Sequence, residues 1–440
     1  METVLVIGAA RSGIAVSKLL LKNGYHVVLT DSNEIKEKAE LQDLGIEVFD
    51  GGHPVCLKDK EYAFIVKNPG IPYRVPFVHY FVEQNAKIYT EIEVAYRFAK
   101  NFNYAAVTGT DGKTTVTTLL YEMLNRQKKS LVAGNIGTPL CELVLEHTDT
   151  DYNVALELSN FQLLGIETFR PHVSTVTNLA PDHLDYMDSL EAYYQSKMRI
   201  YENTNADDYF IRNVDDENVV KYAQNIPCQV IDFSLKRKDV DLYKDDKYAY
   251  YKDTQLFTLS DLKIVGEFNC GNAMMASCMA YLMGVSLFNI QEVIREFSGV
   301  EHRIEYVDTI DNVRFYNDSK ATNTHAACAG LSAFEKNVIL LCGGKDKHIS
   351  FDDLKQYDAV VKKCISFGQT KDKFKDIFTN QISVETMKDA FEKAILSAKP
   401  GDIVLLCPAC SSFDQFKNYE IRGEIFKQMV HDYASKRNEE

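Results

Sequence analysis

The sequence predicts an α/β protein of three domains, each a mostly parallel sheet wound with helices. Short β-branched apolar runs alternate with helical patterns along the chain, the rhythm of strand–helix–strand units. The 440 residues exceed what one hydrophobic core organises. The rhythm also restarts twice, giving expected domains at residues 1–98, 99–299 and 300–440.

In the first domain, residues 3–7, 26–30 and 63–66 read as strands and 13–23 as a helix. A polar, basic break near residues 98–104 precedes a second unit, with strands at 104–107, 154–158 and 173–177 and a helix at 114–126. Residues 234–254, rich in Lys, Asp and Tyr, read as an exposed hairpin or loop of this domain. Met274, Met275, Met279 and Met283 fall on a helical pattern and read as core filling. The third unit has strands at 314–317, 338–342, 364–367 and 403–407.

Composition narrows the function classes. Lys and Arg number 49 against 63 Asp and Glu, a net charge of -14, and no basic run is segregated, so nucleic acid is not an expected partner. The opening METVLVIGAARSG carries an acid at Glu2 and about five apolar residues before a glycine, neither a leader nor a span. No later stretch reaches about 18 uninterrupted apolar residues. A cytoplasmic protein without stable membrane insertion is expected. The ten cysteines are scattered, and Cys407 and Cys410 form a C-x-x-C without a second ligand pair, so they read as small buried hydrophobes.

The richest segment is Gly109-Thr110-Asp111-Gly112-Lys113-Thr114-Thr115, between an expected strand and an expected helix. Its glycines let backbone N–H groups turn toward phosphate oxygens, Lys113 reaches the β- and γ-phosphates, and Thr114 can hold Mg2+. ATP binding is the expectation, through a shortened loop, since Val107 stands where the usual spacing has a glycine. In the first domain, Gly8-Ala9-Ala10-Arg11-Ser12-Gly13 and Asp31 make an imperfect dinucleotide fingerprint, the Rossmann-like signature, and suggest a nucleotide diphosphate at the helix start. Lys67-Asn68-Pro69-Gly70-Ile71-Pro72 should end a strand on the same carboxyl edge.

Polar residues also crowd later strand ends. Glu157 and Ser159 close one strand of the middle domain, and Asn178, Asp182, His183 and Asp185 follow another. A carboxylate and an imidazole near a phosphate loop suit a second Mg2+. Taken alone, Glu157 or His183 reads as a surface or capping residue, and Lys197 as an exposed helix lysine. In the third domain, Lys320, Lys347 and Ser412 sit in loops after parallel strands that converge on one face, suited to an anionic ligand.

Together GTDGKTT, GNIG at 134–137, ELSNFQL, Asp182-His183, the lysine before MRIY, Asn269 and Asn272, Glu301-His302-Arg303, NDSKATN and PACSSFDQFKNYEIRG resemble the Mur ligases, in order and across all three domains. The resemblance implies an N-terminal Rossmann-like domain that binds a UDP-linked substrate, a central P-loop ATPase-type domain, and a Rossmann-like C-terminal domain that binds an amino acid. It implies ATP-dependent amide formation through an acyl phosphate, in peptidoglycan precursor synthesis, by a monomer. NDSKATN and PACSSFDQF lie nearest the members that use UDP-N-acetylmuramoyl-L-alanine and D-glutamate.

Carried over, the resemblance makes Lys113 the γ-phosphate lysine and puts Thr114 on the first Mg2+. Glu157, His183 and a carbamylated Lys197 fall at the second. Gly109, Thr110, Asp111, Gly112, Thr115 and Asn272 would meet ATP, with Arg303 and Asp318 reaching it from the last domain. Arg11, Ser12, Asp31, Asn68, Asn135 and Ser159 would meet the UDP-linked substrate, and Lys320, Thr322, Lys347, Ser412, Phe413 and Tyr419 the D-glutamate. The linker near residues 298–301 would hinge. Three positions depart from the family pattern: Asp111 replaces the commoner Asn, Tyr419 stands where Phe is frequent, and the GGKDKHIS loop carrying Lys347 differs from the usual form. Competing readings are a sister ligase adding L-alanine, a diamino acid or a folate glutamate, a nicotinamide-dependent oxidoreductase using Gly8–Gly13, and a non-catalytic ATP-regulated binding protein.

Overall fold

Val4, Leu5, Val6 and Ile7 are all fully buried, as a strand covered on both faces requires. The computed structural model describes residues 1–440 other than 149, 183–186, 188, 348 and 440. These four residues form most of β1 (Thr3–Ile7), the centre of a parallel sheet with β2 (His26–Thr30), β3 (Glu47–Phe49), β4 (Phe64–Lys67) and β5 (Ile88–Tyr89), in the order β3-β2-β1-β4-β5. Side chains alternate along β1. Val4 and Val6 join one core with Val16, Leu19 and Leu20 of the helix Arg11–Lys22, while Leu5 and Ile7 join another with Phe77, Val78 and Phe81 of the helix Pro76–Glu83. Strand order reverses between β1 and β4, so their carboxyl ends border the crevice where such sheets bind ligands.

The second sheet comprises β6 (Phe102–Thr108), β7 (Leu131–Gly134), β8 (Tyr152–Glu157), β9 (Val173–Val176), β10 (Tyr209–Asn213), β11 (Gln229–Phe233), β12 (Leu242–Lys244), β13 (Tyr248–Tyr251) and β14 (Thr254–Thr258). Its order is β14-β13-β12-β11-β10-β9-β6-β8-β7, parallel from β7 to β12 and antiparallel at β12-β13-β14. The segment 234–254 is thus more than an exposed hairpin. It supplies edge strands of the central sheet, and Leu242, Ala249 and Tyr251 are buried.

These two sheets belong to one compact unit, residues 1–258 with 271–293. The helix Glu91–Phe98 fastens one to the other. Glu93, with no exposed surface, accepts hydrogen bonds from the backbone of Glu167 (2.9 Å), Thr168 (3.0 Å) and Phe169 (3.0 Å), and from Arg97 Nε (2.8 Å). Glu91, also buried, accepts from Cys141 N–H at 2.5 Å in the first turn of the helix Leu140–Glu146. Burial pushes the Glu91 carboxyl up to about 7.

The second unit, residues 259–270 with 294–440, holds a six-stranded sheet of β15 (Glu305–Ile310), β16 (Val313–Asn317), β17 (Val338–Gly343), β18 (Val361–Phe367), β19 (Gln381–Ser383) and β20 (Ile403–Leu406). The order is β15-β16-β20-β17-β18-β19, parallel except for the β15-β16 hairpin. Leu340, Cys342 and Leu405 face one core, and Ile339, Leu341 and Leu406 the other. Among the described residues no helix is long and apolar enough to cross a membrane.

Candidate functional site

The loop between β6 and the helix Lys113–Gln127 is built on two glycines. Gly112, the residue before the helix, has φ +80°, and a Cβ there would meet Asn272 Oδ1 at 2.6 Å. Gly109 has φ +143°, and a Cβ there would lie 1.9 Å from Thr177 Oγ1. The residues after β9 hold the loop from the other side. Thr110 N–H donates to Asn178 O (3.0 Å), Asp111 N–H to Asn178 Oδ1 (2.9 Å), Asn178 Nδ2 to Asp111 O (3.2 Å), and Thr177 Oγ1 to Asp111 O (2.5 Å). The Asp111 side chain is exposed, and Thr114 is half-buried in the first helical turn while Thr115 is buried.

Two lysines converge on this loop. Lys113 Nζ donates to the carbonyls of Gly109 (3.0 Å) and Thr110 (2.7 Å), and Lys197 Nζ donates to the same Gly109 carbonyl at 2.7 Å. Lys197 corrects the reading of an exposed helix lysine: it is 1% exposed, with its ammonium 4.7 Å from the centre of the Tyr193 ring. Burial and then the Lys113 charge push it down to about 7, opposed by Asp182, Asp111 and Glu157.

Glu157 ends β8 and is 1% exposed, likewise neither a surface nor a capping residue. Its Oε1 accepts from Asn135 Nδ2 at 2.8 Å, and its buried Oε2 has no hydrogen-bond partner. A buried carboxyl oxygen without a hydrogen-bond partner is costly, and a bound cation would satisfy it. Ser159 caps the helix Asn160–Leu163 in a capping box with Gln162, a local role in addition to the expected ligand contact. His183 and Asp185 lie outside the described residues.

At the carboxyl edge of the first sheet, a Cβ on Gly13 would lie 1.8 Å from Gly8 O and one on Gly8 2.7 Å from Asn68 Cβ, so the turn packs against the loop after β4. Ala10, where the fingerprint has a glycine, is extended at φ -70°. Asp31 Oδ2 accepts from Ala9 N–H at 2.7 Å, Asn68 Nδ2 donates to Ser12 Oγ at 3.3 Å, and Arg11 is exposed in the first turn of its helix. Burial alone would raise the Asp31 carboxyl, but hydrogen bonds from Ala9 and Asn33 outweigh it and hold it below the usual range. Lys67, fully buried, donates to the carbonyls of Asn68 (3.1 Å) and Ile71 (2.7 Å), shaping the loop that follows it.

In the second unit, the loops after β16, β17 and β20 gather at one edge of the sheet. Lys320 Nζ lies 5.8 Å from the centre of the Tyr419 ring, and Lys347 Nζ is 3.5 Å from Thr322 O. Ser412 is buried and Phe413 is 68% exposed. Asp318 accepts from Ile304 N–H (3.2 Å) and Cys407 Sγ (3.4 Å), and burial pushes its carboxyl up to about 7. Arg303, half-buried, lowers that value through its charge. Residues 298–306 are internally tied, with Tyr306 N–H on Ser298 O at 2.7 Å and Arg303 N–H on Val300 O at 2.9 Å.

The structure therefore brings together Lys113, Lys197 and the phosphate loop, pairs Asn135 with Glu157, and pairs Lys320 with Tyr419 and Lys347 with Thr322. It adds Arg422, which lies within YEIRG and has no role in the sequence reading. With no exposed surface, Arg422 donates to Ser319 Oγ (3.0 Å), Ser319 O (2.8 Å) and Cys410 O (3.0 Å), tying the loops after β16 and β20 together. Burial pushes its guanidinium down to about 10. A second addition is Tyr193, whose hydroxyl is 3.4 Å from Thr110 Oγ1.

Comparison with known proteins identifies the family. Residues 107–280 match the family described as Mur ligase middle domain, and residues 302–410 match Mur ligase, glutamate ligase domain. The chain is 43% identical over 440 residues to UDP-N-acetylmuramoylalanine--D-glutamate ligase of Geobacillus sp. (strain WCH70), covering 97% of each chain. It is 41% identical over 443 residues to the enzyme of the same name from Bacillus cereus (strain G9842), covering 98% of this chain and 97% of that one. Among solved structures, MurF ligase from Thermotoga maritima in complex with ADP superposes with a TM-score of 0.58 at 16% identity, covering 94% of this chain and 96% of that one. At that identity the likeness is one of fold.

Proposed function

The chain belongs to the Mur ligase family, and from that premise we propose that it joins D-glutamate to UDP-N-acetylmuramoyl-L-alanine in the cytoplasm, with ATP converted to ADP and phosphate, during peptidoglycan precursor synthesis. The observation that carries the reading is the Gly109 carbonyl shared by Lys113 and Lys197 beside the buried Glu157 carboxylate. It supports a site that holds phosphoryl groups and cations within a few ångströms of one another.

The UDP-muramoyl carboxylate attacks the γ-phosphorus of ATP, giving an acyl phosphate and ADP. The D-glutamate amine then displaces phosphate and loses a proton. Most of the work of phosphoryl transfer is positioning and charge stabilisation. Lys113, already aimed along the loop, exchanges its two carbonyl partners for β- and γ-phosphate oxygens, and the N–H groups of Gly112 to Thr115 cradle the phosphates. Glu157 Oε2, buried and without a donor, suits one Mg2+, and Thr114 suits a second. Bound there, Mg2+ neutralises charge shared between the phosphoryl group and the attacking carboxylate. Near pH 7 much of the Lys197 amine is neutral, the form that adds CO2 and releases a proton to become a carbamate. That carbamate with Glu157 and His183 would complete an anionic donor set.

Asn135 and Ser159 hold the muramoyl part, and Arg11, Ser12, Asp31 and Asn68 hold the UDP part on residues 1–98. Asn272, Arg303 and Asp318 serve the adenosine of ATP. Lys320, Thr322, Lys347, Ser412, Phe413 and Tyr419 hold D-glutamate on residues 300–440, with residues 99–299 as the ATP-binding domain. The test is phosphate release from ATP and Mg2+ with UDP-muramoyl-alanine, comparing D-glutamate, L-glutamate, L-alanine and L-lysine. Release with D-glutamate alone is expected. Release with another acceptor overturns the substrate assignment, and no release with any of the four overturns the ligase reading.

A further inference from the structure

The loop after β3 carries a histidine into the carboxyl edge of the first sheet. Three backbone bonds fix that loop beside the one after β2: Asp31 N–H to Phe49 O (3.0 Å), Gly51 N–H to Asn33 O (3.1 Å) and Gly52 N–H to Asp31 O (3.2 Å). His53 follows directly. Its Nδ1 is 2.9 Å from Oγ1 of Thr30, the fully buried residue that ends β2 and precedes Asp31. Its ring lies on Phe77, centroid to centroid 4.3 Å with the planes 10° apart. The imidazole is thus held by a hydrogen bond at one nitrogen and a stack on one face, an ordered placement for a half-buried ring on an irregular loop. Among the described residues, Nε2 on the far side of the ring makes no hydrogen bond to the protein.

This placement has a chemical context. In doubly wound sheets, a nucleotide whose phosphates sit at the start of the first helix lays its nucleoside across the end of the second strand. Here that end is Thr30 and Asp31, and the two ring-side groups are close enough for the His53 charge to lower the Asp31 carboxyl. Burial pushes the imidazole below its ordinary value, against the opposing pull of Asp31, so at neutral pH the ring offers one donor and one acceptor. With Thr30 engaged at Nδ1, the remaining function belongs to Nε2.

We propose that His53 is a specificity-determining residue for the nucleoside half of the UDP-linked substrate, meeting a hydroxyl or carbonyl of the uridine through Nε2 beside Asp31. The inference rests on the ligase reading above and adds to it a residue outside the fingerprint. Thr30 and Phe77 are its supports, and neither needs to touch the ligand.

The test uses the full chain and uridine 5′-diphosphate as probe, measured by calorimetry, with KM values for UDP-muramoyl-alanine, ATP and D-glutamate alongside. His53→Phe keeps the stack on Phe77 and removes both nitrogens. It is expected to weaken UDP about tenfold, the loss of one well-placed hydrogen bond, and to raise KM for the UDP-linked substrate alike, with KM for ATP unchanged; the melting temperature falls modestly in His53→Phe and His53→Gln alike, since both take the partner from the buried Thr30 hydroxyl. His53→Gln, whose amide nitrogen reaches the place of Nε2, should recover most of the loss. UDP affinity equal to wild type in His53→Phe, beside an active wild-type enzyme, overturns this inference alone. So does an equal rise in KM for ATP, which marks a general disturbance. A wild-type chain that neither binds UDP nor turns over the UDP-linked substrate overturns the ligase reading and this inference with it.

Discussion

Replacing Gly109 by Ala places a methyl group where the structure has none to spare. The added Cβ falls 1.9 Å from Thr177 Oγ1 and 3.0 Å from Thr177 N. A carbon–oxygen contact needs roughly 3.3 Å, so the loop or β9 must give by about 1.4 Å, and the backbone N cannot swing aside as a side chain can. At φ +143° an alanine is strained as well, by about 1–3 kcal/mol. The displaced carbonyl is the one that receives both Lys113 and Lys197. A misplacement of about 1 Å in a positioning site costs on the order of 10²-fold, so kcat/KM should fall by about 10²–10³, or roughly 3–4 kcal/mol of transition-state stabilisation. The assay is phosphate release under saturating D-glutamate, with ATP affinity measured separately. Gly24→Ala is the control: φ is +85° there but its Cβ would meet nothing within 4 Å, so only backbone strain of about 1 kcal/mol enters and activity should hold. A Gly109→Ala enzyme within about threefold of wild type in both activity and ATP affinity would refute the steric argument.

Three other outcomes are expected. After equilibration with 13C-bicarbonate, carbon NMR should show a carbamate signal that Lys197→Arg lacks, growing as pH rises through about 7, because the amine is neutral above that value; equal signals in both proteins would remove Lys197 from that role. Glu93→Gln should cost about 2–4 kcal/mol in urea unfolding at pH 7, since charge-assisted hydrogen bonds from three N–H groups and Arg97 are weakened. Burial alone would raise the Glu93 carboxyl, yet hydrogen bonds from the Thr168 hydroxyl first, then from the Glu167 and Thr168 N–H groups and Arg97, bring it below 4.5. The folded value therefore lies under the unfolded one, so the stabilisation is complete above about pH 4.5 and fades as pH falls through the folded value; a cost that stays constant down to pH 3 would contradict this. Asp111→Asn, removing an exposed negative charge beside the phosphate loop, should tighten ATP about two- to fivefold at low salt and less at about 0.2 M; weaker binding would reverse the sign assigned to Asp111.

The phosphate loop was legible because its glycines, lysine and helix start fall within a few consecutive residues, where spacing alone implies geometry. Lys197 was not legible from its own surroundings. The helix Leu190–Met198 buries Tyr193, Tyr194, Ser196, Lys197 and Met198 with no single apolar face, and its anchor, Gly109 O, is 88 residues away. The family resemblance singled it out where periodicity gave no sign. Strands β12 to β14 were missed as a sheet edge because tyrosines occupy both faces of β13 and mask the alternation. Ser159 stands three residues before Gln162, the spacing of a capping box, so its helix-capping role is readable from the sequence beside the ligand contact that the resemblance implies. Arg422 stood inside a quoted motif without a role, because its partners at Ser319 and Cys410 come from loops that only the sheet order brings together.

The buried pair Glu91 and Glu93 bears on how such chains can be recombined. A boundary drawn by composition near residue 98 suggests a detachable first module, yet both carboxylates sit on its last helix and find their donors at Cys141 and at residues 167–169. Excised at that boundary, the module would carry two acids stripped of those donors, and the remainder would expose the matching N–H groups. A crossover between homologous chains that preserves folding must therefore inherit the helix Glu91–Phe98 together with the turns at 139–141 and 167–169. The first sheet then travels through evolution with part of the second attached.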